Sequence, residues 1–163
     1  MWGMIATWRM AVEGITKGAE MLKECGDAGD AIELAIRQVE DFPYYKSVGY
    51  GGLPNEEMEV EMDAAYMDGN TLDIGAVAAI RDFANPVSIA RRLSREKVNS
   101  MLVAEGAEKF AHKEGFERKN MLLGTSWPGV ASSGKPSHSA FGGKHHGPYC
   151  QYQHCFAEYS AES

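Results

Sequence analysis

The sequence predicts an α/β layered fold, and three observations carry that expectation. Four stretches space their apolar residues at intervals of three and four, the period of a helix with one buried face. Four short apolar runs of strand length, bounded by turn residues, alternate with them. Four strands are too few for a closed barrel, and no glycine fingerprint follows the first as it would in a dinucleotide fold.

Taken in order, GMIATW (3–8) is expected as a short buried strand. Val12, Ile15, Ala19 and Leu22 then give a helix its apolar face, with Glu13 and Lys17 as an i,i+4 pair and Gly26 as the stop. A second helix presents Ala28, Ala31, Ile32, Ala35, Ile36 and Val39 and ends before Pro43. Residues 58–67 and 71–80 read as strands joined at Asp68-Gly69-Asn70, a hairpin signal. Asn85-Pro86 supplies an N-cap and a proline for the first turn of a helix carrying Ile89, Ala90 and Leu93. NSMLVA (99–104) is a further strand. Ala107, Phe110 and Ala111 mark a last helix closed by Gly115.

The chain changes character near Leu123. All nine methionines lie before that point, and Val130 is the only Leu, Ile, Val or Met after it. A Gly/Ser/His-rich tail with almost no aliphatic side chains cannot form a periodic apolar face, so 124–163 reads as irregular and 1–123 as the folded unit. At 163 residues one domain is expected. The net charge of −7 argues against nucleic-acid or anionic-membrane partners. Three cysteines, an odd number, do not describe a secreted disulfide framework. MWGMIATW carries no basic leader region, and no apolar run reaches membrane-spanning length. A soluble, reduced, cytoplasmic protein is the plain reading; a processed export product is the other.

SVGYGG (47–52) invites comparison with a phosphate-binding loop, which needs a lysine and a hydroxyl at its end. Leu53-Pro54-Asn55-Glu56-Glu57 follows instead and adds negative charge where an anion would sit. Glu57, Glu59, Glu61 and Asp63 fall at alternate positions and are expected to line one solvated strand face rather than to bind a metal. His145, His146, Cys150, His154 and Cys155 are zinc-compatible types, but their spacing fits no common finger, so no metal site is expected.

Five segments together point to a family: TW at 7–8, SVGYGG at 47–52, DAAYMDG at 63–69, IGAVAAI at 74–80 and NPVSIAR at 85–91. In this order they resemble the glycosylasparaginases, of the asparaginase/isoaspartyl-peptidase group of N-terminal-nucleophile hydrolases. The resemblance covers roughly residues 3–123 and implies half of a four-layer αββα sandwich, the part corresponding to the α chain. It also implies an enzyme that cuts itself into α and β chains, assembles as (αβ)2, needs no cofactor, and hydrolyses Asn-linked or aspartyl amides. By the same resemblance Ser47 sits near the nucleophilic threonine and Trp8 lines the substrate side. Gly49, Gly51 and Gly52 shape the loop and let its backbone approach the β chain. At Trp8-Arg9-Met10 the sequence departs from the family, which often has Asn or Pro and then Phe.

The family's nucleophile is a threonine whose own free α-amine, with a pKa of about 7.7–8.0, takes the hydroxyl proton. Its cleavage motif, His-Asp-Thr-Ile/Val-Gly, does not occur in this sequence. Thr125 follows Gly124 rather than aspartate, and Thr7 lies inside the first expected strand. No catalytic residue is therefore assigned in this chain, and a partner β chain is expected to carry it. A truncated or frame-shifted coding sequence would produce the abrupt change after residue 123. The alternatives are a fragment of an L-asparaginase or isoaspartyl peptidase, and a non-catalytic remnant that acts by interaction.

Overall fold

A computed structural model describes residues 1–123. After a single 3₁₀ turn over Arg9–Ala11, the elements run α1 (Val12–Lys23), α2 (Ala28–Glu40), β1 (Glu61–Met67), β2 (Ile74–Arg81), α3 (Pro86–Leu93), β3 (Met101–Val103) and α4 (Glu105–Lys113). This is a mixed α/β unit, as the periodicities predict. The tail assigned to 124–163, with its histidines and cysteines, lies outside the described residues.

One three-stranded sheet organises the unit, in the order β1-β2-β3. β1 and β2 form the expected antiparallel hairpin, closed by Asp68 N–H to Asp73 O at 2.9 Å and Leu72 N–H to Asp68 O at 2.8 Å. β2 reaches the parallel strand β3 through α3. A bulge interrupts the hairpin register between Met62 and Ala64. There Ala79 is left-handed, with φ at 49°, and its N–H donates to Asp63 Oδ1 at 2.7 Å. The carboxylate thus satisfies a donor that the ladder leaves free.

Among the described residues the packing lies on one side of this sheet. Met62, Ala64 and Tyr66 of β1 and Val77 and Ile80 of β2 form a single core with Val87, Ile89, Ala90 and Leu93 of α3 and Ala107 and Ala111 of α4. Ile32 and Ile36 of α2 pack against that core, and α1 packs on α2. Arg91 pins α2 to α3, reaching Glu33 at 2.6 Å and Asp30 at 2.7 Å while lying over the Tyr66 ring. By strand alternation the opposite face carries Ala65, Met67, Ile74, Ala76, Ala78, Met101 and Val103. Among the described residues nothing covers it: Ile74 is 47% exposed, Met101 56% and Val103 52%. Among the described residues the unit is therefore one three-stranded sheet with helices on one face.

Three expectations are corrected. The buried strand over 3–8 is absent: Ile5 and Trp8 are exposed, and this segment joins no ladder among the described residues. An apolar run becomes a strand only where a sheet edge accepts it. The packing face of α1 is centred not on the four expected residues but on Gly14 and Gly18, which lie directly on the backbone of Ala35 and Ala31 of α2, with Ile15, Ala19 and Leu22 half-buried beside them. Small residues on both helices let the axes approach closely and leave Val12 59% exposed. Finally, the acidic face over 57–63 is shortened. Asn55 Oδ1 accepts the N–H groups of Glu57 and Glu59 at 3.0 Å each, winding them into a turn, and the strand begins only at Glu61.

Ala104 joins β3 to α4 at φ 47° and ψ −126°, a region that side-chain-bearing residues enter only with strain. Ala104→Gly is expected to stabilise the chain by about 1–2 kcal/mol by removing that strain. Thermal melts of the two proteins check this, and an unchanged or lowered midpoint would count against it.

Candidate functional site

The candidate site is the loop that follows α2, and its shape is set by main-chain bonds. Leu53 N–H donates to Lys46 O at 3.0 Å and encloses Ser47 in a closed ring. Gly52 N–H donates to Gly49 O at 3.0 Å inside that ring. Tyr50 N–H donates to Glu40 O at 2.7 Å and Gly51 N–H to Met121 O at 2.8 Å, fixing the loop to the end of α2 and to the last described segment. The Lys46 ammonium donates to Pro43 O at 3.3 Å and Gly51 O at 3.2 Å, stapling the loop across its mouth.

Gly49 and Gly51 are left-handed, with φ at 64° and 79°. A Cβ at Gly49 would lie 2.6 Å from the Glu40 carbonyl carbon, and one at Gly51 would lie 2.7 Å from Pro43 O. The close neighbour at both positions is therefore this chain's own backbone. Gly52 is buried beside Val60 and Val48. Ser47 is half-buried, and its hydroxyl has no hydrogen-bond partner among the described residues. Trp8 is 60% exposed and opens the 3₁₀ turn before α1, its carbonyl accepting from Ala11 N–H at 3.0 Å. Ser47 and the three glycines thus come together in one loop, while no hydrogen bond joins Trp8 to it among the described residues.

Beneath the loop lies a residue that the sequence reading passed over. Glu40, the last residue of α2, is 1% exposed. Its carboxylate accepts from Asn85 Nδ2 at 3.2 Å and from Val87 N–H at 3.3 Å. Asn85, the expected side-chain cap of α3, makes no capping bond; it donates to Glu40 and to Asp41 at 3.1 Å, and Glu40 takes the free N–H instead. Burial pushes the Glu40 carboxyl up to about 8, against the opposing effects of the hydrogen bonds from Asn85 and Val87. The signal was present in the sequence, since Glu40 continues the Ile32–Ile36 stripe one turn further.

Of the acidic residues upstream of β1, Glu56 and Glu57 are exposed and Glu59 is engaged in structure. Glu59 pairs with Arg81 at 2.7 Å, and no group of three or more His, Cys, Asp or Glu side chains suited to a metal occurs among the described residues. No helix among them is long and apolar enough to cross a membrane.

Comparison with known proteins decides the family. The asparaginase family matches residues 5–127, three quarters of the chain. The chain belongs to the asparaginase family. Among its asparaginase relatives, an N(4)-(beta-N-acetylglucosaminyl)-L-asparaginase of Elizabethkingia miricola is 38% identical over 123 residues, 76% of this chain and 36% of that protein. An isoaspartyl peptidase/L-asparaginase of Xenopus laevis is 40% identical over 112 residues, 68% of this chain and 36% of its own. A plant-type L-asparaginase of Thermococcus kodakarensis is 44% identical over 105 residues, covering 64% and 34% respectively. The chain thus spans about a third of the length of these asparaginases.

Proposed function

We propose that this chain is the α-chain-like part of an asparaginase-family amidohydrolase that cleaves Asn-linked or aspartyl amides, and that a β chain supplies the N-terminal threonine. The observation that carries this reading is the open sheet face formed by Ile74, Ala76, Ala78, Met101 and Val103. An apolar sheet surface left to water favours association, and a second sheet laid on it would complete an αββα sandwich. The glycosylasparaginase-type segments support the same division of labour.

In this reading the chain is scaffold. The β-chain threonine attacks the amide carbonyl, its α-amine having taken the hydroxyl proton. The amine then passes that proton to the leaving nitrogen, and water releases aspartate from the acyl-enzyme. Ser47 lies beside the nucleophile and Trp8 lines the substrate side. No metal or cofactor takes part. The names of the Xenopus laevis and Thermococcus kodakarensis relatives favour a second reading, in which the amide is that of L-asparagine or an isoaspartyl peptide.

The test is reconstitution. The chain alone is expected to release no aspartate from aspartylglucosamine, asparagine or a β-aspartyl dipeptide. Mixed with a separately expressed β chain it is expected to hydrolyse at least one, and the preferred substrate separates the two readings. Turnover by the chain alone would overturn the proposal, and an inactive mixture would favour a non-catalytic interaction protein. By itself the chain is also expected to self-associate through the open sheet. Sedimentation velocity with and without the β chain reads this, and a monodisperse monomer that melts cooperatively would speak against the half-sandwich.

A further inference from the structure

We propose that Glu40 is a positioning residue for Ser47, holding the end of α2 to the start of α3 with its side chain while its main chain carries the glycine loop. This rests on the reading above, in which Ser47 flanks the nucleophile. Three contacts meet at this one residue. The carboxylate accepts from Asn85 Nδ2 and from Val87 N–H, fixing α2 to the first turn of α3. The carbonyl accepts from Tyr50 N–H at 2.7 Å, inside the ring that encloses Ser47. Gly49 lies flat against the Glu40 backbone, so a shift of Glu40 carries the loop with it.

The residue is an expensive choice for a merely structural contact. A buried carboxyl that makes no ion pair carries a desolvation cost that an apolar side chain would avoid. The charged groups near it are Asp41, which opposes its ionisation, and Arg37, which favours it. On the loop side Lys46 is turned to Pro43 O and Gly51 O. On the α3 side the nearest groups are the Asn85 amide and the Val87 N–H. What the carboxyl supplies that a leucine cannot is a directional hold on α3, transmitted to the loop through one carbonyl.

Amide hydrogen exchange on the chain tests this without reference to catalysis. Glu40→Ala is expected to speed exchange at Tyr50, Gly52 and Leu53 by about tenfold or more, with α4 and β3 unchanged. Glu40→Gln, which keeps an acceptor for Val87 N–H, is expected to restore protection to within about threefold of the parent. If Glu40→Ala does not fold, Asn85→Ala, which removes one of the carboxyl's two donors, is expected to loosen the same three amides. Unchanged exchange in the loop, or equal loosening of α4, would overturn the proposal. In the reconstituted mixture Glu40→Ala is expected to lower kcat by about tenfold with KM within about twofold, and Glu40→Gln to recover it. A mixture inactive with the parent chain would sink the functional reading, and the exchange data would still decide the role of Glu40.

Discussion

Gly49→Val is expected to destabilise the chain by about 4 kcal/mol, a large share of the stability of a marginally stable domain. Two independent costs add at this position. The backbone is left-handed, at φ 64°, where a β-branched residue is a steric outlier worth about 1–2 kcal/mol. The added Cβ also lands on main-chain atoms of Glu40, which cannot turn aside as a flexible side chain would. Overpacking against backbone contributes a further 1–3 kcal/mol, roughly. Urea unfolding at low protein concentration measures the loss. Gly106→Ala is the control: a Cβ there meets nothing within 4 Å, the residue lies in α4, and the change is expected to be neutral or to stabilise by about 0.5 kcal/mol. Equal effects at the two glycines would show that the loop does not bear on Glu40 as described.

The same contrast explains how much of the fold was legible in the sequence. Periodicity locates α2, α3, α4 and the hairpin because those elements bury the side chains that a pattern counts: Ala31, Ala35 and Val39, or Met62, Ala64 and Tyr66. It misplaces the packing face of α1 because Gly14 and Gly18 have no side chains to count, and their use appears only once Ala31 and Ala35 lie opposite. It supplies a strand over 3–8 because Met4, Ile5, Ala6 and Trp8 satisfy the local pattern, whereas a strand exists only with a partner edge. Ser47 and the loop glycines are visible because their order is distinctive. Glu40 is passed over because a glutamate at a helix end reads as a solvated group, although its place on the Ile32–Ile36 stripe marks it for the buried face.

Glu40 also gives the chain a stability that falls as pH rises through the neutral range. Burial holds its folded-state pKa at about 8, above the 4.5 of an unperturbed glutamate. Between those values the folded chain binds a proton that the unfolded chain has released, so unfolding becomes easier as the pH increases. The stabilisation is fully present below about pH 4.5 and is lost by the time the pH passes 8. Each unit in this window corresponds to about 1.4 kcal/mol, so from pH 5.5 to 7.5 the loss amounts to roughly 3 kcal/mol. Other groups titrate across the same range, so the decisive quantity is the difference from Glu40→Gln, which has the shape of the protonated acid and no proton to lose. The variant carries a fixed cost, because Asn85 must turn its amide to face the new one and gives up its bond to Asp41. That cost does not depend on pH. Urea midpoints of the two proteins are therefore expected to converge or cross as the pH rises, the variant gaining about 3 kcal/mol on the parent over those two units. Parallel curves would mean that Glu40 ionises as an ordinary surface carboxylate and that the loop rests on a charged residue after all.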